Sequence, residues 1–174
     1  VEFAAVATYY SRNATNGGNW NDVLSWSTDG HDGDEADEAP EGAPVIIASG
    51  HTITVTSNTR LAESMQLNGT AILDLTNTFA HNFGVVTGTG TIRIRATAGE
   101  QFVFPGGNYD DFTSVTGGTV EFYNSDPGIL PTQTVYNKVI LKDAAARIQP
   151  DVNYVVNGLW TIEGGSVSNT NFGR

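Results

Sequence analysis

Three histidines, nineteen acidic residues and no cysteine bound the chemistry open to this chain. Without cysteine there is no thiolate nucleophile, disulfide or thiolate metal site. His31, His51 and His81 have neither HExxH nor i, i+4 metal-binding spacing. The segment Gly164-Gly165-Ser166-Val167-Ser168 does not match a nucleophile elbow, and no acid and histidine follow it. The densest acids lie in the Gly/Ala/Pro-rich stretch 29–44, which holds Asp29, Asp32, Asp34, Glu35, Asp37, Glu38 and Glu41. Hard carboxylate oxygens at alternate positions suit Ca²⁺, so Asp29, Asp32, Asp34 and Asp37 are candidate calcium ligands. The spacing fails the EF-hand pattern, and the alternative is a solvated acidic loop. His31 in the same loop is a candidate transition-metal ligand. Asp110 and Asp111 are the residue types a glycosidase or calcium-dependent polysaccharide lyase uses, and Arg93 or Arg95 could serve as the basic residue a lyase also needs. Their other reading is a pair of solvated loop acids. His51 reads as a corner residue bonding a neighbouring coil.

Six tyrosines are scattered along the sequence, and Tyr109 and Tyr123 are candidate glycan-binding residues. Trp20 and Trp26 fall on one face of an extended segment. They predict an apolar plug, or an aromatic platform for sugar rings. A net charge of −11 repels nucleic acid and an anionic membrane surface. No run of apolar residues is long enough for a helical membrane span. The opening VEFAAVATYYS shows no signal peptide.

The elements that must position these residues are strands. Gly, Thr, Asn and Val are abundant, and no amphipathic helix is visible; DAAAR (143–147) offers a single turn. Ile53 and Val55 alternate with Thr52, Thr54 and Thr56. The pattern recurs at Leu73, Ile92, Val120, Val139 and Leu159, in steps of 20, 19, 28, 19 and 20 residues. A second column runs through Val45 and Ile47, Met65 and Leu67, Val85, then Phe102 and Phe104. Corners fall at 50–51, 68–69, 88–90 and 117–118, where glycine makes positive φ cheap. The step of 28 carries an insertion, placing 106–112 on a protruding loop. Short strands recurring every ~20 residues, joined by corners rather than helices, predict an all-β fold, a parallel β-helix (β-solenoid) of about five to six coils. Residues 1–44 form an N-terminal strand (1–12), a Trp-bearing cap and the acidic loop; 45–174 form the coils. The outward column reads Thr54, Asp74, Arg93, Glu121, Ile140, so opposite charges should meet on adjacent coils.

A solenoid must cover the strand edges at its ends. The C-terminal EGGSVSNTNFGR shows no cap, whereas the strand at residues 1–10 is apolar on both faces. Self-association is therefore expected, with the N-terminal strand of one subunit pairing with the next. Phe3, Val6, Tyr9, Val167 and Phe172 are the candidate interface.

The segment GNW…SW (Gly18, Asn19, Trp20, Trp26, Ser27), followed by Ile46, Ile47, Gly50, His51, Thr52 and Val55, resembles the start of many large surface proteins of Bacteroidetes. GTGTIRI (88–94) and NKVILKD (137–143) also look like coils of that family. The resemblance implies a right-handed β-helix with no chemistry of its own. It implies export, by the type IX route, and an extracellular or outer-surface location. A C-terminal sorting domain is then expected in the parent protein, either beyond this segment or removed. The function expected is a structural or adhesive subunit of a surface fibre. The alternative is a glycan-binding or polysaccharide-cleaving surface module.

Overall fold

A computed structural model describes residues 6–95, 100–123, 128–143, 146–150 and 152–169. The chain is an all-β solenoid of about five turns, with stacked parallel sheets. The first sheet stacks Tyr9–Ser11, Pro44–Ile47, Ser64–Leu67, Asn82–Gly88 and Gly106–Asn108, with Trp26–Ser27 antiparallel at its N-terminal edge. The second stacks Gly17–Asn19, Thr52–Thr54, Ile72–Asp74, Thr91–Ile94, Thr119–Tyr123, Lys138–Lys142 and Trp160–Ile162. Gly128–Ile129, Ala146–Gln149 and Ser166–Asn169 make a third face, and Val135–Tyr136 pairs with Val155–Val156. Two short 3₁₀ turns, Asn13–Thr15 and Val23–Ser25, are the only helical elements among the described residues. None is long and apolar enough to cross a membrane.

Strand alternation builds the core. Ile53, Leu73, Ile92, Val120 and Val139 stack in register and are all buried. Leu75, Ile94, Phe122 and Leu141 form a second buried row. Val45 stacks on Met65, and Ile47 on Leu67, against the first sheet. In the C-terminal half the filling turns aromatic. Phe102 packs on Phe122 at 5.2 Å, Phe122 on Tyr136 at 6.1 Å, Tyr136 on Tyr154 at 6.0 Å and Tyr154 on Trp160 at 5.7 Å.

Several expectations are corrected. The inward residue of the first sheet's fourth coil is Val86, stacked on Met65, and Val85 is exposed. The reason is Gly84 at φ +56, which shifts the alternation between the buried Phe83 and Val86. Phe102 and Phe104 do not continue that column; Gly106–Asn108 does. Residues 106–112 therefore do not protrude, and Tyr109 and Phe112 are buried. Val139 is followed by Trp160 rather than Leu159, which is 63% exposed. Ala146 and Arg147 of DAAAR belong to the strand Ala146–Gln149 rather than to a helical turn. Of the strand expected over 1–12, only Tyr9–Ser11 is strand among the described residues. It lies in the first sheet beside Pro44–Ile47 of its own chain, and Gly17–Asn19 starts the second sheet.

Candidate functional site

Five ionisable side chains meet on the outer face of the second sheet. Asp74, Arg93 and Glu121 face outward at the same register on successive strands. The Arg93 guanidinium donates from Nε to Glu121 Oε1 at 2.8 Å and from an Nη to Asp74 Oδ2 at 3.2 Å. Lys142 Nζ approaches Glu121 Oε2 at 3.9 Å. The Tyr123 hydroxyl donates to Asp74 Oδ1 at 2.7 Å, and the Arg93 guanidinium lies 4.5 Å from the Tyr123 ring centre. Burial opposes the charge on Arg93, but the hydrogen bond and charge of Glu121, with Asp74, outweigh it and raise the pKa. Burial, then the bond to Asp74, raises the Tyr123 pKa. A phenol so held is a poor base at neutral pH. Both carboxylates accept from neighbours, so the network closes on itself and its evident work is fixing coil register.

The sequence shows the Asp74–Arg93–Glu121 alternation. It does not show Tyr123 and Lys142 joining it. Their signal lies in the next outward row, where Tyr123 pairs with Lys142. Of Tyr123, a candidate sugar platform, the hydroxyl and one ring face are engaged within the ladder. Tyr109 is corrected: it is 6% exposed, against Phe104 at 4.9 Å and Phe112 at 6.3 Å, and burial raises its pKa. Asp110 and Asp111 are exposed turn residues, and the Asp110 amide donates to Asn108 Oδ1.

The acidic loop is held by protein groups. Arg12 donates to the carbonyls of Gly33 at 3.2 Å and Leu24 at 3.1 Å, and lies 3.9 Å from Glu35. Asn13 Nδ2 donates to Asp32, and Tyr9 Oη reaches Glu38 at 3.5 Å. Asp29, Asp32, Asp34 and Asp37 do not converge, and no group of three or more acidic or histidine side chains is placed to hold a metal among the described residues. All four aspartates are exposed. His31 is held by Ser11, its Nδ1 lying 2.7 Å from that carbonyl.

His51 bonds across coils as expected, its Nδ1 lying 2.8 Å from Ser11 Oγ. Ser11 Oγ also accepts from the Ala48 amide at 2.9 Å and is fully buried, so no nucleophile is presented. Burial, then the nearby His31, lowers the His51 pKa. Trp20 and Trp26 form the plug, fully buried and edge-to-face at 5.4 Å. Their indole N–H groups donate to the carbonyls of Pro40 and Trp20.

The interface candidates separate. Phe3 and Phe172 lie outside the described residues. Val6 is 62% exposed. Tyr9 is corrected: its ring belongs to its own core and its strand is already paired, so it cannot be donated without opening the first coil. Val167 lies at the last described coil, partly buried against the core. Searches of protein-family models, curated proteins and solved structures found no match to this chain.

Proposed function

We propose that the chain is a structural or adhesive β-solenoid segment of an extracellular surface fibre, associating through its C-terminal coil. One observation carries the reading: the two ends of the stack differ. At the N-terminal end the tryptophan plug and acidic loop cover the core. At the other end, Trp160–Ile162 has a single neighbouring strand among the described residues. Tyr154, Trp160, Ile162 and Val167 there line an open hollow of about 440 Å³. A further coil laid on this end, from a longer chain or from a second copy, would continue the second and third sheets and bury its apolar rims. Burial of each such side chain contributes roughly 1.5–3 kcal/mol. Export and surface display are supported by the resemblance of the opening segment to exported solenoid proteins. The closed ladder on the second sheet supports a scaffold rather than an enzyme.

Light scattering and electron microscopy of the full chain across micromolar to millimolar concentrations test this. Concentration-dependent, elongated species are expected. Ile162→Lys, at a half-exposed position, should suppress them while leaving the monomer folded. A chain that stays monomeric throughout, or assembly unaffected by the lysine, would overturn the proposal.

A further inference from the structure

Among the described residues the first sheet ends at Gly106–Asn108, while Val135–Tyr136, in the next coil, pairs only onward with Val155–Val156. Between these strands lie two adjoining hollows of about 350 and 410 Å³, which share Gly107, Tyr109 and Gln133. The stack is thus interrupted on one face while the second sheet runs through unbroken.

Both walls are strand edges. Gly106 pairs with Asn82 and Asn108 with Val85. The register shifts by one residue between these two pairs, and Gly107, which lies between them, lines both hollows. On the far wall, the Thr134 carbonyl accepts from Val155 at 2.7 Å and the Tyr136 carbonyl from Asn157 at 2.9 Å. The intervening Val135 faces the gap. Its carbonyl accepts from the side-chain amide of Gln133 at 3.3 Å. That amide stands where the N–H of an adjacent strand would be.

We propose that this break in the ladder is a binding site for an extended peptide segment of a partner protein, taken up by β-strand addition. Two facing strand edges, with the Val135 carbonyl turned inward on one, favour a polypeptide over a sugar. Charge narrows the choice further. Asp110 lines one hollow, neither is lined by lysine or arginine, and the chain carries −11 overall. The peptide is therefore neutral to basic, and a second copy of this acidic chain is disfavoured. Tyr109 is packed beneath the gap, so small side chains suit the inward positions. The site is independent of the C-terminal association proposed above.

The test uses the full ¹⁵N-labelled chain and a pool of acetylated, amidated heptapeptides with lysine at both ends and Thr, Val, Ser or Ala between. Peptide should shift the amides of Gly107 and Val135. N-methylation of alternate peptide amides should weaken binding by about tenfold or more, because it removes main-chain donors. Asp110→Asn should weaken it about threefold at low salt, and Gln133→Ala should tighten it by freeing the Val135 carbonyl. No shift at Gly107 and Val135 with the pool at millimolar concentration would overturn the proposal. So would equal binding of the N-methylated pool, or the same shifts produced by neutral oligosaccharides but not by peptide.

Discussion

His81 shows how one side chain can tie stability to pH. Its Nδ1 accepts from the Arg60 amide at 3.0 Å, which assigns the proton to Nε2, 2.9 Å from Thr78 Oγ1. The Thr78 hydroxyl donates in turn to the Leu75 carbonyl. Burial, then the Arg60 charge, lowers the His81 pKa from 6.5 to about 4. Between those values the unfolded chain binds a proton that the folded chain refuses. Stability is therefore complete above pH 6.5 and falls as pH drops toward 4, by up to about 3 kcal/mol. His51, lowered in the same direction, adds to the slope. Urea melts from pH 7 to pH 4 should show His81→Gln less stable at neutral pH but with a shallower acid slope; parallel slopes would refute the assignment. Tyr136 makes the opposite case. Its hydroxyl is buried with no hydrogen-bond partner among the described residues, inside the aromatic stack. An unpaired buried hydroxyl costs ~1–3 kcal/mol. Tyr136→Phe should raise the denaturation midpoint by the equivalent of about 1 kcal/mol, and a loss of stability would mean the hydroxyl has a partner.

Among the elements, the strand Asn82–Gly88 carries the least obvious information. A Cβ on Gly84 would lie 1.8 Å from the Glu63 carbonyl oxygen, and φ is +56. Gly84→Ala should therefore destabilise by about 3 kcal/mol or more, through both strain and collision. Circular dichroism melts would show it, and a near-neutral effect would contradict the bulge. The same glycine explains why sequence reading places Val85 inside. Strict alternation holds through Met65 and Leu67 and fails where the strand bends. The second sheet is legible because its register is unbroken: Leu73, Ile92, Val120 and Val139 recur in steps of 19, 28 and 19 residues, pair in turn and are all buried. The aromatic half is less legible, since Phe102 and Phe104 carry no strand pattern and find their places by ring packing with Phe122, Tyr136 and Tyr109. At the outer face, a single row of positions reveals the Asp74–Arg93–Glu121 ladder. Tyr123 and Lys142 require two rows read together.

For the whole molecule, the question is whether the N-terminal strand belongs to its own solenoid or to a neighbour. Tyr9–Ser11 lies between Pro44–Ile47 and Trp26–Ser27 of the same chain, joining the cap to the stack. Ser11 anchors both the Ala48 amide and His51, and the Tyr10 ring meets His31 edge-on at 5.3 Å. Removing residues 1–11 would expose the side of Val45 and Ile47, strip the partner of His51 and loosen the acidic loop at once. Losing the buried Tyr9 ring alone removes ~1.5–3 kcal/mol. The sum approaches the ~5–15 kcal/mol that holds a domain of this size together. The truncated chain should therefore melt far below the full chain, or fail to fold, at concentrations where both are monomeric. Ile162→Lys at the other end should change association and leave the monomer's melting nearly unaltered. A folded truncated monomer that has lost only its ability to associate would return the strand to the role of a donor and reverse the polarity of assembly proposed here.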